Sequence, residues 1–283
     1  MAVDGNINEQ VVRDFGREWS QFDQSNVPSD ELHRRFHDYF ALFPWETLPE
    51  TARGFDLGCG SGRWDQFVAP RVTELHCIDP SRAALEVARK NLARFSNCHF
   101  HLAGVDDIPL ADNSMDFGYS LGVLHHVPNT AGGIRNCAKK LKSNAPLLLY
   151  LYYAFDNRPF WFAAVWRISD VLRRLVSRSP YPLKYLASQA IALLIYYPFT
   201  LLARACEGLG LNVGAIPLSH YRDKSFYTMR TDALDRFGTR LEKRFTRKQI
   251  EKMMIEAGLE KIQFSEKEPF WCVIGYRRAK AAG

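Results

Sequence analysis

The sequence predicts an α/β fold with a mostly parallel sheet, on three observations. Short apolar runs alternate with helical patterns from about residue 54 to residue 152. The stretch GFDLGCGSGRW, residues 54–64, carries one of these runs into a loop with a glycine at every second position. The alternation resumes at residue 246, after a helical, aromatic and basic stretch over 156–245. This pattern predicts parallel strands joined by crossover helices, with an inserted helical lid.

The individual elements follow from local patterns. Strands are predicted at GFDLG, ELHCID, NCHFHL, MDFGYS and APLLLYLYY. SRAALEVARKNLARF has helical spacing with Ser81 as its N-cap, and TAGGIRNCAKKLK is a weaker helical pattern. TRKQIEKMMIEAGLEKIQFSE predicts a capped helix that ends at Gly258 and leads into a strand, and PFWCVIGYRR predicts the last strand.

These elements suggest four regions. We expect an N-terminal helical cap at 1–50 and a cofactor-binding α/β core at 51–155. The inserted helical substrate lid follows at 156–245, and 246–283 supplies a helix and two strands that complete the core sheet.

Composition limits the class of protein. Hydrophobic residues make up 47% of the 283 residues, which is enough to bury a core and argues against disorder. Six scattered cysteines without a CxxC pair argue against a zinc site and a disulfide framework, and they favour a reducing cytoplasm. No secretory signal pattern opens the sequence. We therefore expect a cytoplasmic protein without a metal centre.

Charge is distributed unevenly along the chain. Residues 1–150 carry 15 Lys/Arg against 19 Asp/Glu, whereas residues 151–283 carry 22 against 12. A basic half is typical of proteins with an anionic partner, which can be a substrate, a membrane surface or a nucleic acid. A solvated basic surface is the alternative interpretation.

The most hydrophobic window is LASQAIALLIYYPFTLLA, residues 186–203. Its length approaches that of a membrane span, but it contains Gln189 and Pro198. A buried helix of the lid is the simpler interpretation, and a helix that dips into one face of a membrane is the alternative.

The glycine loop fits neither of the common phosphate-binding patterns. A dinucleotide site has a third glycine where this chain has Arg63, and the phosphate loop ending in Gly-Lys-Ser/Thr is absent. Aspartates follow successive predicted strands, where open α/β sheets bind their ligands. They are Asp56, Asp79, Asp106 and Asp107.

Three stretches together carry a family resemblance. DLGCGSG, CIDPS and VDDIPLADNSMDFGYSLGVLHHV resemble the class I S-adenosylmethionine-dependent methyltransferases, and are most similar to the small-molecule branch that includes quinone-biosynthesis methyltransferases. The resemblance implies a Rossmann-like seven-stranded sheet with an antiparallel last strand, and S-adenosyl-L-methionine as cofactor. One departure is Gly104, where relatives often have an acidic residue.

The resemblance also implies roles for particular residues. The loop from Gly58 to Gly62 would hold the methionine end, Asp79 the ribose, and Asp106 with the Val105 backbone the adenine. The complete set of implied cofactor contacts is Trp19, Asp56, Gly58, Cys59, Gly60, Gly62, Asp79, Pro80, Val105, Asp106 and Leu121. An aromatic face such as that of Trp19 is favourable beside a sulfonium.

Candidate catalytic and acceptor residues follow from their position in the predicted sheet. His125 and His126 come just after the fourth strand, where one of them could act as a general base or both could shape the pocket wall. Acceptor contacts are predicted after the fifth strand and in the irregular stretch from residue 218. They are Tyr152, Tyr153, Arg158, His220, Tyr221, Arg222 and Arg230. These residues predict an acceptor that is partly apolar and anionic.

Two other function classes stay open at this point. A nucleic-acid methyltransferase would suit the sequence pI of about 9.0, but the chain lacks an [ND]-P-P-[FYW] motif and an appended RNA-binding module, which disfavours nucleic acid as a partner. A non-catalytic cofactor-binding or membrane-associated partner protein is the second, with peripheral membrane contact through the lid. The sequence determines neither the acceptor atom nor the oligomeric state.

Overall fold

The chain divides into two compact units in the computed structural model, which describes residues 5–157, 159–214 and 216–279. Unit 1 comprises the chain up to Ser20, Arg35–Asp156 and the chain from Leu241. Unit 2 comprises Gln21–Arg34 and Asn157–Arg240. Most of the expected lid at 156–245 therefore lies in unit 2, while residues 241–245 lie in unit 1.

Seven strands form one sheet in unit 1, in the order β3-β2-β1-β4-β5-β7-β6. Their bounds are β1 Arg53–Leu57, β2 Glu74–Asp79, β3 Cys98–Leu102, β4 Phe117–Leu121, β5 Pro146–Tyr150, β6 Leu259–Phe264 and β7 Cys272–Arg277. Strands β1 to β5 pair in parallel, and β7 runs antiparallel to both of its neighbours. This confirms the Rossmann-like sheet with an antiparallel last strand. The strand order reverses between β1 and β4, so the carboxyl ends of these strands flank the crevice in which such sheets bind ligands.

Ten α-helices accompany the sheet in the described part of the chain. They are α1 Glu9–Gln21, α2 Ser29–Tyr39, α3 Asp65–Val68, α4 Arg82–Asn91, α5 Thr130–Lys140, α6 Phe160–Val176, α7 Tyr181–Ile191, α8 Tyr197–Gly208, α9 Phe226–Gly238 and α10 Arg247–Glu256. Ser81 caps α4 by accepting a hydrogen bond from the Ala84 N–H, as predicted. Thr246 and Gln249 form a reciprocal capping box at α10, which Gly258 follows in a left-handed conformation.

Helices α7 and α8 form one continuous helix, Tyr181–Gly208. A five-residue π-helical turn, Ala192–Tyr196, joins them just before Pro198, which has no N–H to donate in the first turn of α8. In the continuous helix Tyr181–Gly208, only 33% of the most hydrophobic window is buried. The interpretation of residues 186–203 as a buried helix is therefore wrong.

The core of the sheet depends on two glycine–phenylalanine pairs between β1 and β4. Gly54 is in register with Phe117, and Phe55 is in register with Gly118. A Cβ on Gly54 would lie 2.1 Å from the Phe117 ring, and a Cβ on Gly118 would lie 2.3 Å from the Phe55 ring. Both rings are fully buried, so each glycine provides space that a ring of the neighbouring strand occupies.

We predict that Gly118→Ala lowers the free energy of unfolding by about 1–3 kcal/mol, because the added methyl group overpacks the Phe55 ring. Chemical unfolding followed by circular dichroism measures the change. Gly208→Ala is the control, since no atom lies within 4 Å of the added Cβ, and at the end of α8 it should leave stability unchanged or raise it by up to about 1 kcal/mol. Combining Gly118→Ala with Phe55→Leu should cost less than the sum of the two single changes; simple additivity would contradict the overpacking argument.

Candidate active site

The glycine loop adopts a conformation that few other residues could take. The loop follows β1. At its start the backbone N–H groups of Gly58 and Cys59 both donate to the carbonyl of Ile78, at 2.7 and 3.1 Å. Gly58 has a φ of +84° and lies against Val123, which a Cβ would approach to 2.3 Å. Gly60 has a φ of +56° and lies under the indole of Trp19. Positive φ and close neighbours together explain why glycine stands at these positions.

Asp79 fastens this loop to the next helix. One of its carboxylate oxygens accepts a hydrogen bond from the Gly60 N–H at 3.0 Å, and the other accepts from the Ser81 N–H at 2.8 Å. Burial raises the pKa of Asp79 to about 6, and the two backbone N–H donors oppose that rise. Its oxygens retain lone pairs that could accept hydroxyl groups of a ligand.

Two further carboxyl groups are buried beside the loop. Tyr119 donates its hydroxyl hydrogen to Asp65, and one oxygen of Asp56 is buried without a hydrogen-bond partner. Burial, followed by the charge of Asp65, raises the pKa of Asp56 well above its usual value, and burial raises the pKa of Asp65 to about 6. An unpaired buried carboxyl oxygen fits a ligand that carries an ammonium group, because a nearby positive charge would offset the cost of burial.

Helix α1 packs both on the start of α4 and on the glycine loop. A Cβ on Gly16 would lie 2.4 Å from the Ser81 hydroxyl, so α1 approaches the start of α4 closely. Trp19 covers Gly60, and the guanidinium of Arg63 lies over the rings of both Trp19 and Trp64, at 5.4 and 4.6 Å from their centroids. This cation–π stack holds α1 on the glycine loop.

The end of β3 is already in contact with the N-terminal segment. Asp106 accepts hydrogen bonds from the Asn6 N–H at 2.6 Å and from the Asn136 side chain at 3.2 Å. The Val105 carbonyl accepts a second hydrogen bond from Asn136, at 3.1 Å. An adenine amine at Asp106 would therefore share these oxygens with two donors that are already in place.

The two histidines form a short 3₁₀ turn, Leu124–His126, after β4. His125 is fully buried, and neither of its ring nitrogens has a hydrogen-bond partner. Its ring stacks on Tyr152 with 3.8 Å between centroids. Burial, the neighbouring His126 and the charge of Arg244 lower its pKa well below the usual value, so the imidazole is neutral. His126 has a different environment, since its Nδ1 lies 2.6 Å from the carbonyl of Leu241 and its ring contacts Phe15.

The segment from Leu241 to Phe245 packs beside these histidines. The sequence predicts this segment as part of the lid, but it lies in unit 1. The Lys243 N–H donates to the carbonyl of His125 at 3.1 Å, and the Phe245 N–H donates to that of Tyr152 at 2.9 Å. Arg244 lies over the Tyr152 ring at 5.1 Å and pairs with Glu242 at 2.8 Å. No sequence signal identified Arg244, because its position depends on a pairing between segments about ninety residues apart.

The other sequence-predicted residues have varied surroundings. Tyr153 contacts Phe155 and Phe270, Leu121 is buried at the end of β4, and Pro80 is partly exposed. Cys59 is buried, and all six cysteines of the chain are free. Arg158 lies outside the described residues.

Four of the predicted acceptor contacts belong to unit 2 and have partners there. Tyr221 is buried and contacts Tyr196 and His220, while Arg222 pairs with Glu207 at 2.9 Å. Arg230 donates to Gln189 and to the Tyr185 hydroxyl. Among the described residues, no group of three or more His, Cys, Asp and Glu side chains could hold a metal ion.

Comparisons with known proteins match the region that holds the glycine loop. A family model described as a methyltransferase domain matches residues 55–149. The demethylmenaquinone methyltransferase of Tropheryma whipplei strain Twist is 25% identical over 191 residues, which cover 66% of this chain and 78% of that protein. The ubiquinone biosynthesis O-methyltransferase of Alkalilimnicola ehrlichii is 33% identical over 95 residues, covering 33% of this chain and 38% of the relative.

A solved structure extends the similarity of fold over most of the chain. The Haloferax volcanii complex of the Trm112 methyltransferase activator with a methyltransferase matches with a TM-score of 0.53 and 13% identity. The match covers 95% of this chain and 98% of the other. At this identity the likeness concerns the fold alone.

We predict that Asp56→Asn stabilises the ligand-free protein more at pH 7.5 than at pH 5. The pKa of Asp56 is raised on folding, so the stability that its protonated form contributes is complete below its unfolded pKa and is lost as pH rises through the folded one. Asparagine imitates the protonated carboxyl at every pH. Urea unfolding at both pH values gives the difference, with the exposed Asp107→Asn as a control for the loss of one charge. An equal change at both pH values would contradict the prediction.

Four features indicate the same class of enzyme. They are the sheet order, the glycine loop, the carboxylates after β1 and β2, and the matched methyltransferase domain. The unpaired oxygen of Asp56 is also consistent with a ligand that carries an ammonium group. The chain is an S-adenosylmethionine-dependent methyltransferase, with a methyltransferase domain at residues 55–149 and a sheet of the class I fold.

Proposed function

We propose that this enzyme methylates a small organic acceptor that is partly apolar and anionic, and that the acceptor binds against the wall formed by His125 and Tyr152. The observation that carries the proposal is His125, a fully buried imidazole with two unpartnered nitrogens next to the cofactor loop. A buried polar group without a partner requires an explanation, and a bound ligand that supplies the partner is one such explanation.

The cofactor-binding part of the proposal rests on residues around the glycine loop. Asp79 would accept the ribose hydroxyls, and the free oxygen of Asp56 would accept the ammonium group. The loop from Gly58 to Gly62 would hold the methionine end, with Trp19 as its cover. When bound, S-adenosylmethionine supplies an electrophilic methyl group on a sulfonium.

His125 is in the neutral form that a general base must have, and its lowered pKa makes its protonated form less stable than that of an ordinary histidine. A neutral imidazole has one nitrogen lone pair that can accept a hydrogen bond from a hydroxyl or amine, and its other nitrogen can donate. The contact between Gly58 and Val123 places the histidine turn beside the glycine loop. Stacking on Tyr152 fixes the plane of the ring. Together these contacts support His125 as the base, and the hydrogen bond of His126 to Leu241 supports a positioning role for that residue.

The character of the acceptor is inferred from the wall itself. Tyr152 and Phe15, which are partly exposed, offer aromatic surface, and Arg244 adds a cation whose charge Glu242 partly offsets. The names of two relatives specify demethylmenaquinone and ubiquinone biosynthesis, which supports an aromatic, partly apolar acceptor. Tyr153, Arg158, His220, Tyr221, Arg222 and Arg230 stay predictions as further acceptor contacts.

Location forms part of the same proposal. We expect a cytoplasmic enzyme with peripheral membrane contact through the helices of unit 2. The long apolar helix Tyr181–Gly208 supports this contact, because two thirds of its most hydrophobic window is not buried.

The test of function is transfer of a radiolabelled methyl group into fractionated cell extract. Label should enter the organic phase at acidic pH and move to the aqueous phase at alkaline pH, as expected for an apolar acid. Label in nucleic acid would contradict the proposal.

With the isolated acceptor, His125→Gln should lower kcat by about a hundredfold or more and leave cofactor affinity unchanged. His99→Gln, at an exposed position of β3, is the matched control. An unchanged kcat in His125→Gln would show that His125 is only part of the pocket wall.

We also predict that S-adenosylhomocysteine binds about tenfold more weakly at pH 5 than at pH 8. Ribose hydroxyls prefer the ionised Asp79, whose pKa in the free protein is about 6, so the carboxyl must lose its proton on binding at low pH. Calorimetry at several pH values measures the profile. Asp79→Asn should weaken binding at pH 8 by about 1.5–3 kcal/mol and flatten the profile between pH 5 and 7. Asp223→Asn, at an exposed site of unit 2, should keep both the affinity and the profile.

A further inference from the structure

We propose that unit 2 docks on the surface of an anionic phospholipid bilayer through the exposed apolar sides of α6 and of the continuous helix Tyr181–Gly208. These sides are called the apolar face. Its most exposed members include Ile168, Leu175, Leu186 and Leu194, at 74%, 65%, 66% and 71% of their surface. The proposal rests on the peripheral membrane contact of unit 2 proposed above and adds the lipid surface, and its test does not depend on the identity of the acceptor.

Exposed apolar side chains are concentrated in this part of the chain. Of the 20 exposed large apolar side chains in the described part of the chain, 17 lie between Phe160 and Leu211. Single exposed leucines are ordinary on protein surfaces, but this many within one stretch of about fifty residues indicate an interaction surface. The helix Tyr181–Gly208 also has a mean hydropathy of 1.6 in its most apolar window, which suits contact with hydrocarbon.

The buried sides of the same helices carry charged and polar groups. Arg173 and Asp170 form a buried ion pair at 2.7 Å, and Arg173 also donates to the carbonyl of Thr239 at 2.8 Å. Lys184, which is 2% exposed, donates to the carbonyl of Gly238 at 3.2 Å. Both cations thus bind carbonyls at the C-terminal end of α9, where positive charge is favourable.

On α7 this arrangement reverses the usual polarity of a water-exposed helix, because Lys184 is buried while Leu183 and Leu186 are exposed. A surface helix in water normally turns its leucines inward and its lysines and arginines outward. Here ionic groups hold α6 and α7 to α9, and leucines and isoleucines face outward. Such a helix is favoured where the surroundings are apolar, because its outward leucines and isoleucines are then removed from water.

The charge of this region favours lipid headgroups, and not a second copy of the chain, as the partner of the apolar face. Residues 157–208 contain seven Lys/Arg and two Asp/Glu, and of these Arg173, Lys184 and Asp170 are buried. Arg167, Arg174 and Arg178 are exposed on or just after α6. A symmetric pair of such surfaces would bring like charges together, whereas anionic headgroups neutralise them. Trp161 and Tyr181 are half-buried on the same helices, as aromatic residues at a membrane interface often are.

The bound state is peripheral and does not cross the bilayer. One side of Tyr181–Gly208 is packed within unit 2, through Ile191, Tyr196 and Ala203 as well as Lys184. A helix fixed along one side can place its opposite side in the interface while its axis stays in the membrane plane.

Flotation of the purified full chain with lipid vesicles tests the proposal. Vesicles of phosphatidylcholine containing about a third phosphatidylglycerol should bind the protein, and vesicles of phosphatidylcholine alone should bind it at least tenfold more weakly, given the loss of the electrostatic contribution of several basic residues. High salt should reduce binding to the anionic vesicles.

Matched variants identify the surface. Leu186→Ser with Leu194→Ser should reduce vesicle binding at least tenfold. Leu102→Ser with Ile255→Ser, at exposed apolar positions of unit 1, should leave it unchanged. Circular dichroism and cofactor affinity should match the starting protein in both double variants, because all four positions are exposed. Equal binding by the two variants would overturn the proposal. A protein that ignores vesicles and sediments as a dimer, which Leu186→Ser with Leu194→Ser converts to monomer, would also overturn it and assign the face to a second copy.

Discussion

The bridge that Asp79 makes between the Gly60 and Ser81 N–H groups is the contact on which the candidate site depends. It connects the loop after β1 to the helix after β2, so the crevice at the reversal of strand order has a defined edge. The bridge requires a carboxyl group with little access to water, and burial raises its pKa. Asp56 and Asp65 add two more buried carboxyl groups nearby, with the same consequence. Three such groups are costly in a ligand-free protein, and a ligand with positive charge offsets part of that cost.

Unit 1 builds its site from three parts of the chain that are far apart in sequence. Helix α1 covers the loop through Trp19, and Asn6 holds Asp106. The chain leaves unit 1 after Asp156 and returns at Leu241, and the bridge between Tyr153 and Phe245 pairs the two ends. An insertion can therefore lie between these points without disturbing the sheet, because its two ends are joined within unit 1.

Unit 2 follows a different balance of forces. Its helices are held together by ionic and hydrogen-bonding groups around α9 as well as by a small apolar cluster that includes Met229 and Phe237. In water this leaves much apolar surface exposed at a free-energy cost. Contact with a lipid surface would remove the cost, and a methyltransferase with an apolar acceptor would then lie where such a molecule is concentrated.

The sequence by itself determined the elements whose causes are local. Apolar runs of five or six residues specified the strands, Ser81 and Thr246 specified helix starts, and Gly58 and Gly60 specified a loop that turns through positive φ. These features depend on steric limits and hydrogen bonds within a few residues, which can be read from the residue types alone. The motifs after β1, β2 and β4 were close enough to those of a known family to indicate the cofactor.

Tertiary structure decided which polar groups have partners and which do not. The unpartnered His125, the occupied Asp106 and the position of Arg244 over Tyr152 all depend on contacts between segments distant in sequence. The same holds for the helix at 186–203: its composition favours a buried helix, with a helix that dips into one face of a membrane as the alternative. Only its packing against α9 showed that the lysine side is inward and the leucine side outward. Residue type sets what a side chain can bind, but burial and partners are properties of the folded chain, and these decide its charge state and its role.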